Sequence, residues 1–297
     1  MASATLIDGF RTPRVDITDT TYQADPAHAP DKADLWTNPE AHDGWVHAHN
    51  AIRFEIGEMK RVAEALQSTA LGEWQLAAVK AWWRGHATHI HEHHSNEDDI
   101  MNPVLRTRIV YPPKLEADHV ELVATMDSIE KHVETLQMGN TLAELRALWT
   151  RYEELMLPHL FEEEMVGLPL ARAYFTPAEI EKVTAQFLKN GDPVALGSFV
   201  HVLGHKKNAQ VFMRENAIPG FVWHVPGKGF KALRTLYRTK MQVHIDSLLA
   251  GEPVSARTKK AAKENAAKAA KAHDHAIAEQ CVLSPSKRAN VLSPRFS

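Results

Sequence analysis

Four stretches of this chain carry apolar residues at alternating spacings of three and four, and each has a histidine set into its seam. The first runs Trp45, His49, Ile52, Ile56, Met59, Ala63, Leu66. The second, over about 73–106, places Val79, Trp82, His86, His89, His93, Glu97 and Ile100 on one face. The third reads Leu115, His119, Leu122, Met126, Ile129, Val133, Leu136, and the fourth Leu142, Leu145, Trp149, Tyr152, Met156, His159, Glu163, Val166. Such spacing is the buried stripe of an amphipathic helix. Tyr111-Pro112-Pro113 and Gly139 interrupt the pattern, Thr141 with Glu144 suggests a capping box, and Pro158 should bend the fourth helix beside His159. Four long helices with short connections predict an all-α, up-down-up-down four-helix bundle.

The seam histidines need an explanation, because burying imidazole without a partner costs a few kcal/mol where Leu or Ile would cost nothing. Glu97 follows His93 by four residues and Glu163 follows His159 by four, so each carboxylate shares a face with its histidine. Two buried glutamates repel each other unless a cation lies between them. In this topology the starts of helices one and three meet the ends of two and four. His49, His93, Glu97, His119, His159 and Glu163 therefore fall in one layer, and these six are the candidate metal ligands.

Composition narrows the rest. The 297 residues are 44% hydrophobic, enough for a core, and Lys+Arg 34 against Asp+Glu 37 give no case for nucleic acid. A single cysteine, Cys281, excludes an intrachain disulfide and a cysteine-based metal site. No membrane span or targeting segment is read, so a cytoplasmic protein without membrane contact is expected. Of 18 histidines, eleven lie between His42 and His159.

His93-His94-Ser95-Asn96-Glu97-Asp98 and His159-Leu160-Phe161-Glu162-Glu163 are the stretches by which residues 41–175 resemble the haemerythrin-like (HHE cation-binding domain) family. The resemblance implies a non-haem di-iron centre, with the four histidines as terminal ligands and Glu97 and Glu163 as bridges. Manganese or zinc could occupy the same donors. The oxygen carriers of the family have a fifth histidine one turn after the third-helix histidine, where this chain has Val123, and an Asp five residues after the fourth-helix histidine, where this chain has Glu164 after Glu163. The ligand pattern is closer to repair-of-iron-centres-type and sensing members. It implies reaction with small oxidants (O2, peroxide or NO). Iron or oxygen sensing or storage without turnover is the alternative, and a substrate-specific di-iron oxygenase a second one.

Other features carry weaker expectations. Residues 1–40 read as an extended arm, 176–255 as a helical appendage with helical stretches over about 194–216 and 230–249, and 256–297 as a basic Lys/Ala helix and tail. Appendage or tail could meet a protein partner. His86 and His89 are expected to be core or surface residues, His42 and His47 surface residues, and His91 and His94 solvated. Tyr111 could line the site, while Tyr152 and Trp82-Trp83 read as packing. His201 and His205 have ligand-like spacing but no carboxylate partner, and Glu116 with His119 gives only one Glu-x-x-His motif where a ferritin-like oxidase needs two. Ser284 and Ser293 each precede a proline, as in proline-directed phosphorylation sites.

Overall fold

The computed structural model describes residues 12–204, 206–216 and 218–257, and the expectations for Cys281, His205, the Lys/Ala helix, Ser284 and Ser293 lie outside them. The chain forms two units, residues 1–250 and the segment from Gly251 on. Within the first, four long helices appear where the seams place them: α1 (Gly44–Leu66), α2 (Glu73–Asn96), and, after the one-turn α3 (Asn102–Leu105), α4 (Pro113–Thr135) and α5 (Ala143–Glu162). Asp43 caps α1 by accepting from the Trp45 amide at 3.0 Å, and Pro113 opens α4 where its missing N–H costs nothing. The Thr141–Glu144 capping box does not form. Leu142 is the N-cap of α5, Thr141 reaches only the Ala143 amide at 3.4 Å, and Glu144 lies 3.5 Å from His132 instead.

α1 packs on α5, α5 on α4, and α4 on α2. Their shared core contains Ile52, Ile56, Val79, Trp82, Leu122, Ile129, Leu145, Trp149 and Met156, each no more than 1% exposed. Each such side chain contributes roughly 1.5–3 kcal/mol by leaving water. The Trp149 indole, buried within this core, donates to the Ile56 carbonyl at 3.0 Å and so ties α5 to α1. Trp82 and Trp83 are core residues.

The ligand-bearing ends of α2 and α5 leave α-helical geometry. Glu97–Met101 and Glu163–Gly167 are each one π-helical turn, in which the Asn102 and Leu168 amides bond back five residues to the carbonyls of Glu97 and Glu163. Pro103 and Pro169 stand one residue beyond. A proline lacks the N–H that an α-turn requires and its ring crowds the carbonyl four residues earlier, so widening the preceding turn accommodates it. Pro158, by contrast, lies inside α5 without ending it.

After α6 (Leu168–Tyr174) come α7 (Pro177–Asn190), α8 (Pro193–Val202), α9 (Lys206–Glu215), α10 (Phe230–Tyr237) and α11 (Val243–Ala250). The stretch expected to be helical over 194–216 is divided between α8 and α9 by Gly204, whose φ of +81° favours glycine. A third π turn, Arg238–Gln242, separates α10 from α11. α8 and α11 both pack on α1 and α2, and α8 lies close on α10 at Gly197, where a Cβ would sit 2.4 Å from the Leu233 carbonyl oxygen. The N-terminal segment is held by backbone bonds, Val15 N–H to Met165 O at 3.0 Å and Val110 N–H to Tyr22 O at 2.8 Å. Its Trp36 indole donates to Phe175 O at 3.0 Å.

A buried ionic node joins α8 to the bundle. Glu55 of α1 is fully buried and accepts from His86 Nδ1 at 2.7 Å, His89 Nδ1 at 3.1 Å and Ser198 Oγ at 2.5 Å. His86 Nε2 then accepts from the Tyr152 hydroxyl at 3.1 Å. Burial opposes charge on Glu55, but His89 and His86 outweigh it and hold the carboxyl below its ordinary 4.5. Burial likewise opposes charge on His89, and Glu55 raises it above 6.5. The carboxylate's contribution is full above 4.5 and lost as pH falls toward the depressed folded value, and that of His89 is full below 6.5 and lost as pH rises through its raised one. Glu55→Ala should therefore cost about 3–5 kcal/mol, since it leaves a buried cation unpaired. In urea unfolding the advantage of wild type over Glu55→Gln should be greatest between pH 4.5 and 6.5 and shrink on either side.

Candidate metal centre

At one end of the bundle the six seam residues face one another. His49 comes from α1, His93 from the last turn of α2, His119 from the second turn of α4 and His159 from the last turn of α5, while Glu97 and Glu163 open the two π turns. Glu97 Oε1 lies 3.4 Å from His93 Nε2 and 4.0 Å from His49 Nε2, and its Oε2 lies 3.6 Å from His119 Nε2. Glu163 Oε2 lies 3.2 Å from His49 Nε2 and 3.6 Å from His159 Nε2. The Nε2 atoms of His119 and His159 are 3.1 Å apart.

These separations suit a cation better than they suit each other. With bonds of about 2.1 Å, neighbouring ligands around an octahedral ion stand about 3.0 Å apart and opposite ones about 4.2 Å. The observed distances, 3.1 to 4.0 Å, fall between those limits. Several are too long for hydrogen bonds, and His49 Nε2, His93 Nε2, Glu97 Oε2 and Glu163 Oε2 are buried without one. The donors form two sets that share both carboxylates: His49, His93, Glu97 and Glu163, and Glu97, His119, His159 and Glu163.

A ring of outer groups fixes the inner ones. His49 Nδ1 donates to Glu164 Oε1 at 2.9 Å, and His119 Nδ1 donates to Asp98 Oδ1 at 2.9 Å. Because a carboxylate only accepts, each Nδ1 carries a proton, which leaves Nε2 as the nitrogen available to a metal. Arg53 holds Glu164 at 2.8 Å. The Trp45 indole donates to Glu97 Oε1 at 3.0 Å and the Tyr111 hydroxyl to Glu163 Oε1 at 3.3 Å, so Tyr111 does line the site. Glu163, four residues after His159, is the inward carboxylate, and Glu164, at five, braces His49.

Electrostatics reflect the packing. Burial alone would raise Glu163, but His159 and His49 hold it down at about 2. Burial and then Glu163 itself push Glu97 up. Burial, reinforced by neighbouring imidazoles, drives His93 well below 6.5 and keeps it neutral, the form that ligates metal.

The structure differs from the sequence expectation at His94. His94 is buried at 5% exposure, not solvated, because its ring packs against His119 of α4 and His159 of α5. His86 and His89 are buried partners of Glu55. His91 is exposed, His42 pairs with Glu215 at 2.9 Å, and His47 packs on Phe199 and Phe212. Val123 is 37% exposed, on the solvent side of α4. The outer groups Trp45, Asp98 and Glu164 carry no motif of their own. One signal does mark both carboxylate turns: His-x3-Glu-x5-Pro occurs at His93, Glu97, Pro103 and again at His159, Glu163, Pro169.

The end of this all-α bundle gathers buried histidines and glutamates into shared donor sets that could hold a metal ion. Residues 41–171 match the family model described as Hemerythrin HHE cation binding domain. No curated protein and no solved structure matches the chain. No helix among the described residues is long and apolar enough to cross a membrane.

Glu164→Gln removes the carboxylate that orients His49 without touching the inner set. It should weaken metal binding about 10- to 100-fold in chelator competition while the protein remains folded.

Proposed function

We propose that His49, His93, Glu97, His119, His159 and Glu163 hold two iron ions, and that the protein reacts there with small oxidants. The supporting observation is the division of Glu97, whose Oε1 faces His49 and His93 while its Oε2 faces His119. Shared carboxylates serve two ions rather than one. Iron held by nitrogen and carboxylate donors supplies electrons to dioxygen, peroxide or nitric oxide, and manganese or zinc suit the same donors.

The chain's own residues set the terms of that chemistry. Four neutral imidazoles and two carboxylates bring two negative charges to balance the ions. With Glu97 and Glu163 both shared, each ion receives about four protein bonds, which leaves about two positions of a six-coordinate ion for small molecules. The six side chains are at most 10% exposed, so the reactant is a few atoms in size. Trp45 and Tyr111 hold the carboxylates by donating hydrogen bonds, and bulk water is kept out by the surrounding core.

Anaerobic loading with ferrous iron should give two metals per chain and raise the melting temperature. An ion at a hundred times its dissociation constant adds about 2.7 kcal/mol to stability. Exposure to oxygen or peroxide should then change the near-ultraviolet spectrum in a way that argon purging does not reverse. Less than one metal per chain would overturn the proposal. Two metals with no response to oxygen, peroxide or nitric oxide would overturn the reactivity and leave a sensing or storage role in its place.

A further inference from the structure

His94 occupies a position that packing does not explain. It comes directly after His93 and precedes Glu97 by three residues, on the last turn of α2. Its ring stacks on His119 with centroids 4.4 Å apart and planes at 25°, and meets His159 edge-on at 6.0 Å and 90°. One nitrogen from each of His94, His119 and His159 lies within 4.8 Å of the other two. Both ring nitrogens of His94 are buried without a hydrogen-bond partner.

A neutral imidazole has one N–H to give and one lone pair to share. Leaving such groups unmatched costs about 1–3 kcal/mol each, which a leucine at the same place would avoid. Other buried histidines of this bundle find carboxylates: His86 and His89 have Glu55, His49 has Glu164, and His119 has Asp98. His94 instead faces two imidazoles. Nitrogen lone pairs brought together repel unless an electron-pair acceptor lies between them. The separation fits one, since nitrogens within 4.8 Å of one another need to close by no more than about half an ångström to reach the roughly 4.2 Å between opposite ligands of one ion.

We propose that His94 is a further ligand of the ion held by His119 and His159. The inference rests on the two-ion centre above. It makes the centre asymmetric, with three imidazoles on one ion and two, His49 and His93, on the other. With both carboxylates shared, the His94 ion keeps about one exchangeable position and its neighbour about two, so small molecules bind at the His49–His93 side.

Cadmium-113 loading of the wild-type chain, with nitrogen-15 in its histidines, reads the ligands directly. Two cadmium ions per chain and a cadmium–nitrogen coupling at His94, as at His119 and His159, are expected. Two ions without coupling at His94 would overturn this assignment and leave the two-ion centre standing, while fewer than two would overturn both. His94→Leu gives a second readout. It should keep or raise the melting temperature of the metal-free protein, yet weaken one of the two iron ions about 10- to 100-fold in chelator competition. Unchanged affinity for both irons would overturn the proposal, and so would a lowered metal-free melting temperature with unchanged affinity, which marks a packing role.

Discussion

Glu97 and Glu163 are ionisable acids buried side by side in a helical core, and their proximity governs the end of the bundle in which they sit. An ionised carboxylate taken out of water costs several kcal/mol, and a second beside it adds repulsion. The surrounding groups are arranged accordingly. Carboxylates outside the inner set, Glu164 and Asp98, accept hydrogen bonds from the Nδ1 atoms of His49 and His119, which turns their Nε2 atoms inward. Trp45 and Tyr111 donate to one oxygen of each glutamate. What remains unmatched is a set of lone pairs pointing at common centres, and a cation complements such a set.

The bundle contains a contrasting polar cluster built of the same residue types. Around Glu55 each donor meets an acceptor, with His86, His89 and Ser198 on the carboxylate and Tyr152 on the far side of His86. That node is complete in itself and fastens α8 to the bundle. At the Glu97–Glu163 end, several inner atoms have no protein partner. Hydrogen-bond satisfaction, more than residue type, separates a structural ion network from a ligand set.

Backbone geometry connects the two carboxylate turns. Each begins a π turn at the glutamate and reaches a proline six residues later, at Pro103 and Pro169. The wider turn absorbs the missing proline N–H and rotates the residues beyond it relative to the preceding helix. Both acids enter the core from equivalent local structures on α2 and α5, so their side chains meet between the remaining helices.

Periodicity alone was enough to locate four helices and to set His49, His93, Glu97, His119, His159 and Glu163 into their buried seams, because burial of one face imposes a repeat that a one-dimensional string displays. Up-down topology then put the six at one end. The π turns were not legible, since the repeat of the flanking helices continues through them, although the paired His-x3-Glu-x5-Pro spacing marks them in retrospect. Nor was the failure of Thr141 and Glu144 to form a box, which depends on where α5 actually begins. The sequence by itself determined which residue types stand on the inward face of each helix. Only the tertiary structure decided their partners: Glu55 for His86 and His89, Glu164 for His49, and no carboxylate for His94. Partner choice depends on helix rotation and on distances of a few ångströms between chain segments far apart in sequence, and no spacing within one helix encodes those.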